Sequence, residues 1–318
     1  MPVFDPVVGF FLLGLIARLA RSDLRVPEPL YEALSIYLLL AIGLKGGVQL
    51  AVQPLGEVWV VALSAMLWSA LIPVLLAPVL VHVVRLGRVD AAAVAAHYGS
   101  VSVVTFAVAQ GAVSARGWAS ESWLALLVAL MEAPGIVVGV VLARRALTSQ
   151  GTGAPQPWGQ VLHEVFFGKA ILLLTGGLLI GWAFGPVALK PIDPLFSGLF
   201  RGVLALFLLE LGLVVGQRLP QLRRAGHRLI LFAVLAPLSL GLLGACIGQW
   251  LGLQLPGMVV FAALSASASY IAAPTALRMA VPQADPGLSI GAALGVSFPF
   301  NVIVGIPIYM AWAEWLAG

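Results

Sequence analysis

The chain has 318 residues, of which 61% are hydrophobic and only 9% are charged. A soluble domain of this length would expose far more apolar surface than water tolerates, so the composition excludes a water-soluble globular fold. The net charge of +4 is small and fits a cation excess in membrane-protein loops, so it does not predict nucleic-acid binding.

Hydropathy predicts ten membrane-spanning helices, because about 20 predominantly apolar residues are needed to cross a bilayer. The ten segments lie near residues 4–20, 31–52, 58–83, 89–110, 122–143, 167–186, 195–216, 228–250, 257–279 and 287–313. Five segments precede the polar stretch at 144–158 and five follow it. We therefore expect an all-α polytopic membrane protein with one five-helix repeat over 1–145, a linker over 146–166 and a second repeat over 167–318.

The two halves resemble each other at matching positions. Gly43 and Gly47 in the second segment align with Gly212 and Gly216 in the seventh, at an offset of 212 − 43 = 169 residues. The small polar run at 99–102 matches Ser267-Ala268-Ser269 at nearly the same offset. Internal repeats with small and helix-breaking residues at matching places are typical of secondary transporters.

The distribution of cations predicts the orientation, because cytoplasmic loops carry an excess of Lys and Arg. If the loops are assigned alternately to the two sides, thirteen cations fall on one side and four on the other. The larger group comprises Arg18, Arg21, Arg25, Arg85, Arg88, Arg144, Arg145, Lys169, Arg218, Arg223, Arg224, Arg228 and Arg278. The smaller group comprises Lys45, Arg116, Lys190 and Arg201. We therefore expect a cytoplasmic linker, both termini outside, and inverted repeats, since each half has an odd number of spans.

The fourth and ninth segments are predicted to be broken at mid-membrane. Both are rich in small and hydroxylated residues, and Pro274 lacks a backbone donor, so we expect the ninth to break near residues 270–274. Half-helix N-termini could bind an anion there, and hydroxyls and unwound carbonyls could bind a small cation. Close packing of ordinary membrane helices is the alternative explanation for the small residues.

Two acids lie well inside the predicted spans, Glu132 and Glu210. A charge at the bilayer centre costs at least ~2.5 kcal/mol, so each should face a partner or a wet cavity. Glu132, close to Pro134, is a candidate for a cation-linked or structural role, and Glu210 could tie two helices together. His97 is either a proton relay or a packing residue. Lys45 either attracts anions or extends its ammonium to the outer interface.

In their order along the chain, several short motifs resemble the sodium-dependent bicarbonate permeases (SbtA-like), which were first recognised in the carbon-concentrating systems of cyanobacteria. The motifs are IGLKGG at 42–47, the small polar fourth segment, MEAP at 131–134, LFRG at 199–202, ALR at 276–278 and IG at 290–291. The resemblance implies a homotrimer of ten-helix protomers, each with a gate part and a core part. It also implies a PII-like cytoplasmic regulator, and binding of substrate and sodium around two broken, crossing helices.

The candidate site residues combine this resemblance with the broken-helix pattern. For the substrate they are Gly99, Ser100, Val101, Ser102, Ser267, Ala268, Ser269 and Tyr270. For sodium they are Ser102, Thr105, Glu132, Ser269, Thr275 and Asn301. Tyr270 stands where cyanobacterial members have an acid, and a phenol is a weaker, neutral ligand, so sodium coupling is left open. The chain resembles a non-cyanobacterial subfamily, for which the substrate is also open, and its linker is shorter than in the cyanobacterial proteins.

The sequence therefore predicts a secondary active transporter in a bacterial inner membrane, importing a small anion that the resemblance identifies as bicarbonate. Sodium is the expected coupling ion, and no cofactor and no other metal are expected. A sodium- or proton-coupled permease for another small organic anion and a passive channel are the alternatives. An enzyme is not expected, because the sequence has neither a zinc-binding His-Glu-x-x-His nor a Gly-x-Ser-x-Gly nucleophile motif.

Overall fold

The computed structural model describes residues 6–52, 55–121, 123–149, 157–222 and 226–318. Within these ranges all regular elements are helices and there is no strand. The main helices are α1 (Pro6–Leu19), α2 (Glu28–Leu50), α3 (Leu55–Val79), α4 (Arg88–Gly99), α5 (Val103–Ala115), α6 (Leu124–Ser149), α7 (Trp158–Phe167), α8 (Lys169–Leu189), α9 (Phe200–Leu222), α10 (His227–Trp250), α11 (Leu255–Ala266), α12 (Ala272–Ala280) and α13 (Pro286–Ala317). A π-helical turn at Leu80–Val84 extends α3, and two π-helical stretches interrupt α13.

Eight helical segments of the described chain are long and apolar enough to cross a membrane. They are Glu28–Leu50, Val58–Val84, Arg88–Ala115, Leu124–Ser149, Lys169–Ile192, Phe200–Arg218, His227–Trp250 and Pro286–Ala317. The other two predicted spans correspond to shorter apolar helices. Helix α1 has 14 residues, and α11 has 12 because the ninth segment is divided between α11 and α12. The ten-span inverted repeat therefore stays a prediction.

The predicted linker is partly helical. Helix α6 continues to Ser149, and α7 begins at Trp158, while residues 150–156 lie outside the described part of the chain. Helix α7 buries Val161 and Val165 on one side and exposes Leu162 and Phe166 on the other. The polar stretch at 144–158 thus ends in a short amphipathic helix that precedes the second half.

Two helix pairs are in close backbone contact at the repeated glycines. A Cβ built on Gly43 of α2 would overlap the carbonyl oxygen of Leu174 in α8. A Cβ built on Gly212 of α9 would overlap the carbonyl oxygen of Phe11 in α1. Only glycine allows helices to approach this closely. The repeated glycines therefore have the same role in both halves, and each pair joins a helix of one half to a helix of the other.

Helices α4 and α11 lie at the centre of a second group, formed with α3, α5, α6, α10 and α13. All residues of α4 from Ala91 to Gly99 are buried, as are those of α11 from Gly257 to Ala266. A helix that is apolar and buried on all sides belongs to the interior of a bundle rather than to its lipid-facing surface. The interior of this group contains the two helix breaks described below.

We expect Gly43→Val and Gly212→Val each to destabilise the fold by on the order of 1–3 kcal/mol, because the added methyl groups force a packed helix pair apart. Gly176→Val in α8 is the matched control, since a Cβ there meets no atom within 4 Å. Thermal unfolding in detergent should show lower midpoints for the first two variants than for the control. Equal midpoints would contradict the close packing.

Candidate functional site

Both predicted helix breaks are present. Helix α4 ends at Gly99 and α5 begins at Val103, with extended backbone at Ser100 (φ −93°, ψ 159°) and Ser102 (φ −107°, ψ 115°). Helix α11 ends at Ala266, and α12 begins only at Ala272. The second break thus covers 267–271 and begins before the expected range of 270–274. Pro274 lies in the first turn of α12, where a missing N–H costs no helical hydrogen bond.

The two breaks satisfy each other's backbone groups. The N–H of Ser102 donates to Ser267 Oγ at 2.9 Å, and the N–H of Ser269 donates to the His97 carbonyl at 2.7 Å. Ser267 Oγ in turn donates to the Leu264 carbonyl at 2.7 Å. All four residues that form these two contacts between the breaks are buried. The first break is therefore bonded to the second through Ser267 Oγ, and the second break is bonded to the last turn of α4 through the His97 carbonyl.

The same serines cap the second half-helices. Ser102 Oγ accepts from the N–H of Thr105 in the first turn of α5, at 3.2 Å. Ser269 Oγ accepts from the N–H of Ala273 in the first turn of α12, also at 3.2 Å. The hydroxyl of Tyr270 lies 3.4 Å from Ser102 Oγ. The side chain of Tyr270 thus extends from the second break to the N-terminus of α5, and the positive ends of α5 and α12 both lie at the breaks, where they suit a small anion.

We call the region where the two breaks, 100–102 and 267–271, come together the crossing. Three buried oxygens near the crossing have no hydrogen-bond partner among the described residues: Ser100 Oγ, Thr105 Oγ1 and Glu132 Oε2. Serine and threonine hydroxyls and a carboxylate are oxygen ligands that suit a hard cation. The described residues contain no group of three or more His, Cys, Asp or Glu that could hold a metal ion. A cation at the crossing would therefore depend mainly on neutral oxygens and one carboxylate.

The packing register of α6 brings Glu132 towards the break. A Cβ on Gly139 would overlap Ala96, and one on Gly135 would overlap the backbone of Gly99. Helices α4 and α6 are therefore antiparallel, and Glu132, three residues before Gly135, lies one turn further along the same face. Its side chain is 1% exposed. The predicted proximity of Glu132 to the crossing thus has a geometric basis in α6.

Asn301 holds the end of α11. Its Nδ2 donates to the Ala266 carbonyl at 2.8 Å, and its Oδ1 accepts from the Tyr309 hydroxyl at 2.6 Å. The residue is fully buried in α13. Asn301 therefore lies next to the second break, as a sodium ligand would, but both ends of its amide already have protein partners.

The remaining predicted site residues fall into two groups. Val101 and Ala268 are buried within the breaks, and Gly99 ends α4 against α6. Thr275 lies apart from them, one turn into α12, where it is exposed and donates to the Ile271 carbonyl at 3.2 Å. The structure brings the first group together at the crossing and places Thr275 at the mouth of a cavity.

Ser69 is a residue of the crossing that sequence reasoning missed. Its hydroxyl lies 2.8 Å from the Gly99 carbonyl and 2.6 Å from the Met131 carbonyl, and it accepts from the N–H of Gly135 at 3.1 Å. In a regular helix, the N–H of Gly135 would donate directly to the carbonyl of Met131. Pro134 was the available signal, because a proline distorts the surrounding turn and leaves backbone groups that need another partner.

Two further polar contacts across the core were also missed. Trp68 Nε1 donates to Ser265 Oγ at 3.0 Å, which joins α3 to α11. Tyr98 and Ser297 share a hydrogen bond of 2.6 Å, and Ser297 Oγ donates to the Ala233 carbonyl at 2.6 Å. Single serines in apolar helices carry no sequence pattern that identifies their partners.

Two cavities approach the crossing from opposite ends of α2. One has a volume of about 270 Å³ and extends from Lys45 to Phe106, in the first turn of α5. The other has a volume of about 300 Å³ and extends from Glu32 to Ile271 in the second break. The crossing therefore lies between two cavities.

His97 faces a third, smaller cavity of about 90 Å³, which Arg278 also lines. Its Nδ1 donates to the Ala93 carbonyl at 2.8 Å, whereas its buried Nε2 has no partner among the described residues. Glu210 is partly buried in α9, and its Oε2 likewise has no described partner. Neither the relay suggested for His97 nor the tie suggested for Glu210 is tested by these contacts.

A family model for the Na+-dependent bicarbonate transporter superfamily matches residues 6–314, which is nearly the whole chain. This match confirms the resemblance found in the sequence. A search of curated proteins gave no match. Together with the long apolar helices, the family match makes the chain a multi-pass membrane protein.

We expect Asn301→Leu to lower the stability of the core. The change removes the donor to Ala266 and the acceptor for Tyr309, and each buried group left without a partner costs about 1–3 kcal/mol. Tyr309→Phe is the control, because it removes one hydroxyl and keeps the contact of Asn301 with Ala266. The melting temperature in detergent should fall more for Asn301→Leu than for Tyr309→Phe, and an unchanged value for Asn301→Leu would contradict its role in holding the break.

Proposed function

The chain belongs to the Na+-dependent bicarbonate transporter superfamily, and from this we propose that it imports bicarbonate together with Na+ across a bacterial inner membrane. The observation that carries the proposal is the pair of broken helices that bind each other at their breaks, through Ser102 with Ser267 and Ser269 with His97. A break at membrane depth is tolerated only where it is buried in protein or lines a cavity, so the two breaks belong in the interior of the helix bundle. Secondary transporters place their substrate and coupling ion at such breaks.

In the proposed site, bicarbonate binds beside Tyr270, between the break that precedes α5 and the break that precedes α12. The Na+ ion binds to the neighbouring oxygens of Ser100, Thr105 and Glu132, which have no described partner. The carboxylate of Glu132 supplies the charge that Tyr270, a neutral phenol, does not. Symport of one Na+ with one bicarbonate moves no net charge, so the membrane potential does not drive it. Only the Na+ gradient then contributes, at about 1.4 kcal/mol per tenfold ratio.

The proposal includes ten spans in two inverted repeats, with both termini outside. The matched glycine contacts support it, since Gly43 in α2 packs on α8 and Gly212 in α9 packs on α1. In each of these two contacts, a helix of one half packs against a helix of the other half. The homotrimer and the PII-like regulator come from the family resemblance alone. Part of the linker that would face such a regulator, 150–156, lies outside the described residues.

A second candidate is a proton-coupled permease for another small organic anion. Tyr270 favours it, because the cyanobacterial relatives have an acid at that position and the chain has only the weakly coordinating phenol. A buried carboxyl such as Glu132 could then carry the coupling proton. Replacement of Na+ by a proton gradient as the driving force distinguishes this candidate from the first.

Uptake of labelled bicarbonate into proteoliposomes tests the proposal, with Na+ in one sample and choline in the other. We expect uptake by the wild type to require Na+, and Glu132→Gln to raise the half-saturating Na+ concentration by about tenfold or more, which corresponds to at least ~1.4 kcal/mol. Glu210→Gln is the matched control, because it removes the other intramembrane acid and should leave the Na+ dependence unchanged. Equal uptake in choline would refute Na+ coupling, and absence of uptake in both samples would refute bicarbonate as the substrate.

A further inference from the structure

The cavity between Lys45 and Phe106 has the features of a second anion site, separate from the crossing. Its walls come from α2, α5, the start of α6 and the loop at 118–121, with Phe200 of α9 on one side. Its volume of about 270 Å³ is several times the roughly 30 Å³ that one water molecule occupies in liquid. It can therefore hold a small anion together with part of the anion's hydration shell.

Lys45 is the one basic residue among those that line this cavity. Its Nζ lies 4.9 Å from the centre of the Phe200 ring, and this cation–π contact holds the ammonium at the cavity. Glu121 is the one acidic lining residue, and it is directed away towards α11. Its Oε1 accepts from the N–H of Gln254 at 2.7 Å, so its charge lies against the positive end of α11. Lys45 is therefore the cation that a ligand in this cavity meets, and Asp193, which lines a neighbouring cavity together with Lys45, attracts the same ammonium from the other side.

Gln110 supplies an unused acceptor in the same cavity. Its Nε2 donates to Ser120 Oγ at 2.7 Å, and this bond fixes the amide. Its Oε1 is buried and has no hydrogen-bond partner among the described residues. A buried acceptor without a partner is costly, so a ligand that donates a hydrogen bond to it gains binding energy. Bicarbonate carries one O–H group, whereas nitrate, which has the same shape and charge, has none.

We propose that this cavity is an outer capture site for an oxyanion that also donates a hydrogen bond, with Lys45 neutralising its charge and Gln110 accepting from its O–H. The inference deepens and rests on the proposed function, since it assigns how bicarbonate is selected before it reaches the crossing. The inner end of the cavity at Phe106 is one residue beyond Thr105. The inner end of the cavity therefore lies about one helical turn from Ser102, where α5 begins.

The site can be tested without transport by measuring how bicarbonate protects a cysteine in the cavity wall. The background carries Cys246→Ala, which removes the single native thiol, and Ala119→Cys, which places a thiol at an exposed position in the wall. The rate of modification by an anionic, membrane-impermeant methanethiosulfonate is measured in choline salts at constant pH and ionic strength. We expect choline bicarbonate at millimolar concentrations to slow modification severalfold, and choline nitrate to leave it at the rate seen in choline chloride.

Variants then assign the protection to the two side chains. Lys45→Met should raise the half-protecting bicarbonate concentration by about tenfold, and Gln110→Leu should abolish the preference for bicarbonate over nitrate. Lys190→Met is the matched control, because Lys190 is an exposed cation outside this cavity. Equal protection by nitrate, protection that survives Lys45→Met, or no protection in the unmodified background would overturn the proposal.

Uptake measurements separate this outcome from that of the proposed function. If bicarbonate protects the cysteine but is not transported with Na+, the capture site holds and the proposed substrate fails. If Na+-dependent uptake is present and Lys45→Met does not raise the half-saturating bicarbonate concentration, the capture site fails and the proposed function holds.

Discussion

The structure depends on one constraint, that a backbone N–H or C=O inside a bilayer must find a partner within the protein. Each of the two helix breaks violates this requirement by itself, and each is satisfied by the other. Ser102 donates to Ser267, and Ser269 donates to the carbonyl of His97. Because these two partners come from opposite halves of the chain, each break depends in part on the other half. The crossing is therefore formed by residues of both halves.

The rest of the helices follow from this arrangement. Ser69 and Asn301 complete the hydrogen bonds at the ends of α4 and α11, and both are buried. The glycine contacts at Gly43 and Gly212 use backbone approach instead, and they hold α2 on α8 and α9 on α1. The group of helices around the crossing is thus held by polar contacts together with the glycine contacts between α4 and α6, and the other group is held by close packing at its own glycines. Movement between two such groups is what alternating access at a fixed site requires.

Part of this could be predicted from the sequence, because small polar residues at matched positions indicated both breaks. The repeated glycines indicated an internal repeat, but they did not indicate which helices they bring into contact. The position of the second break is predicted less accurately, since Pro274 does not lie in the break but in the first turn of α12. Ser69 and Thr275 show what could not be predicted from the sequence. The partners of a lone serine depend on which helices become neighbours, and whether Thr275 faces the crossing or a cavity depends on the rotation of α12. Neither the identity of the neighbouring helices nor the rotation of a helix can be predicted from the periodicity of the local sequence.

The most direct test is to measure distances between pairs of spin labels placed across each of the two cavities. These distances show whether the two cavities open and close alternately on either side of the crossing. One pair is placed at Gln49 and Ser114, and the other at Glu32 and Thr275, which line the two cavities. The account predicts that addition of Na+ and bicarbonate changes the two distances in opposite senses, so that one cavity narrows while the other widens. Distances that stay constant, or that change in the same sense, would contradict it.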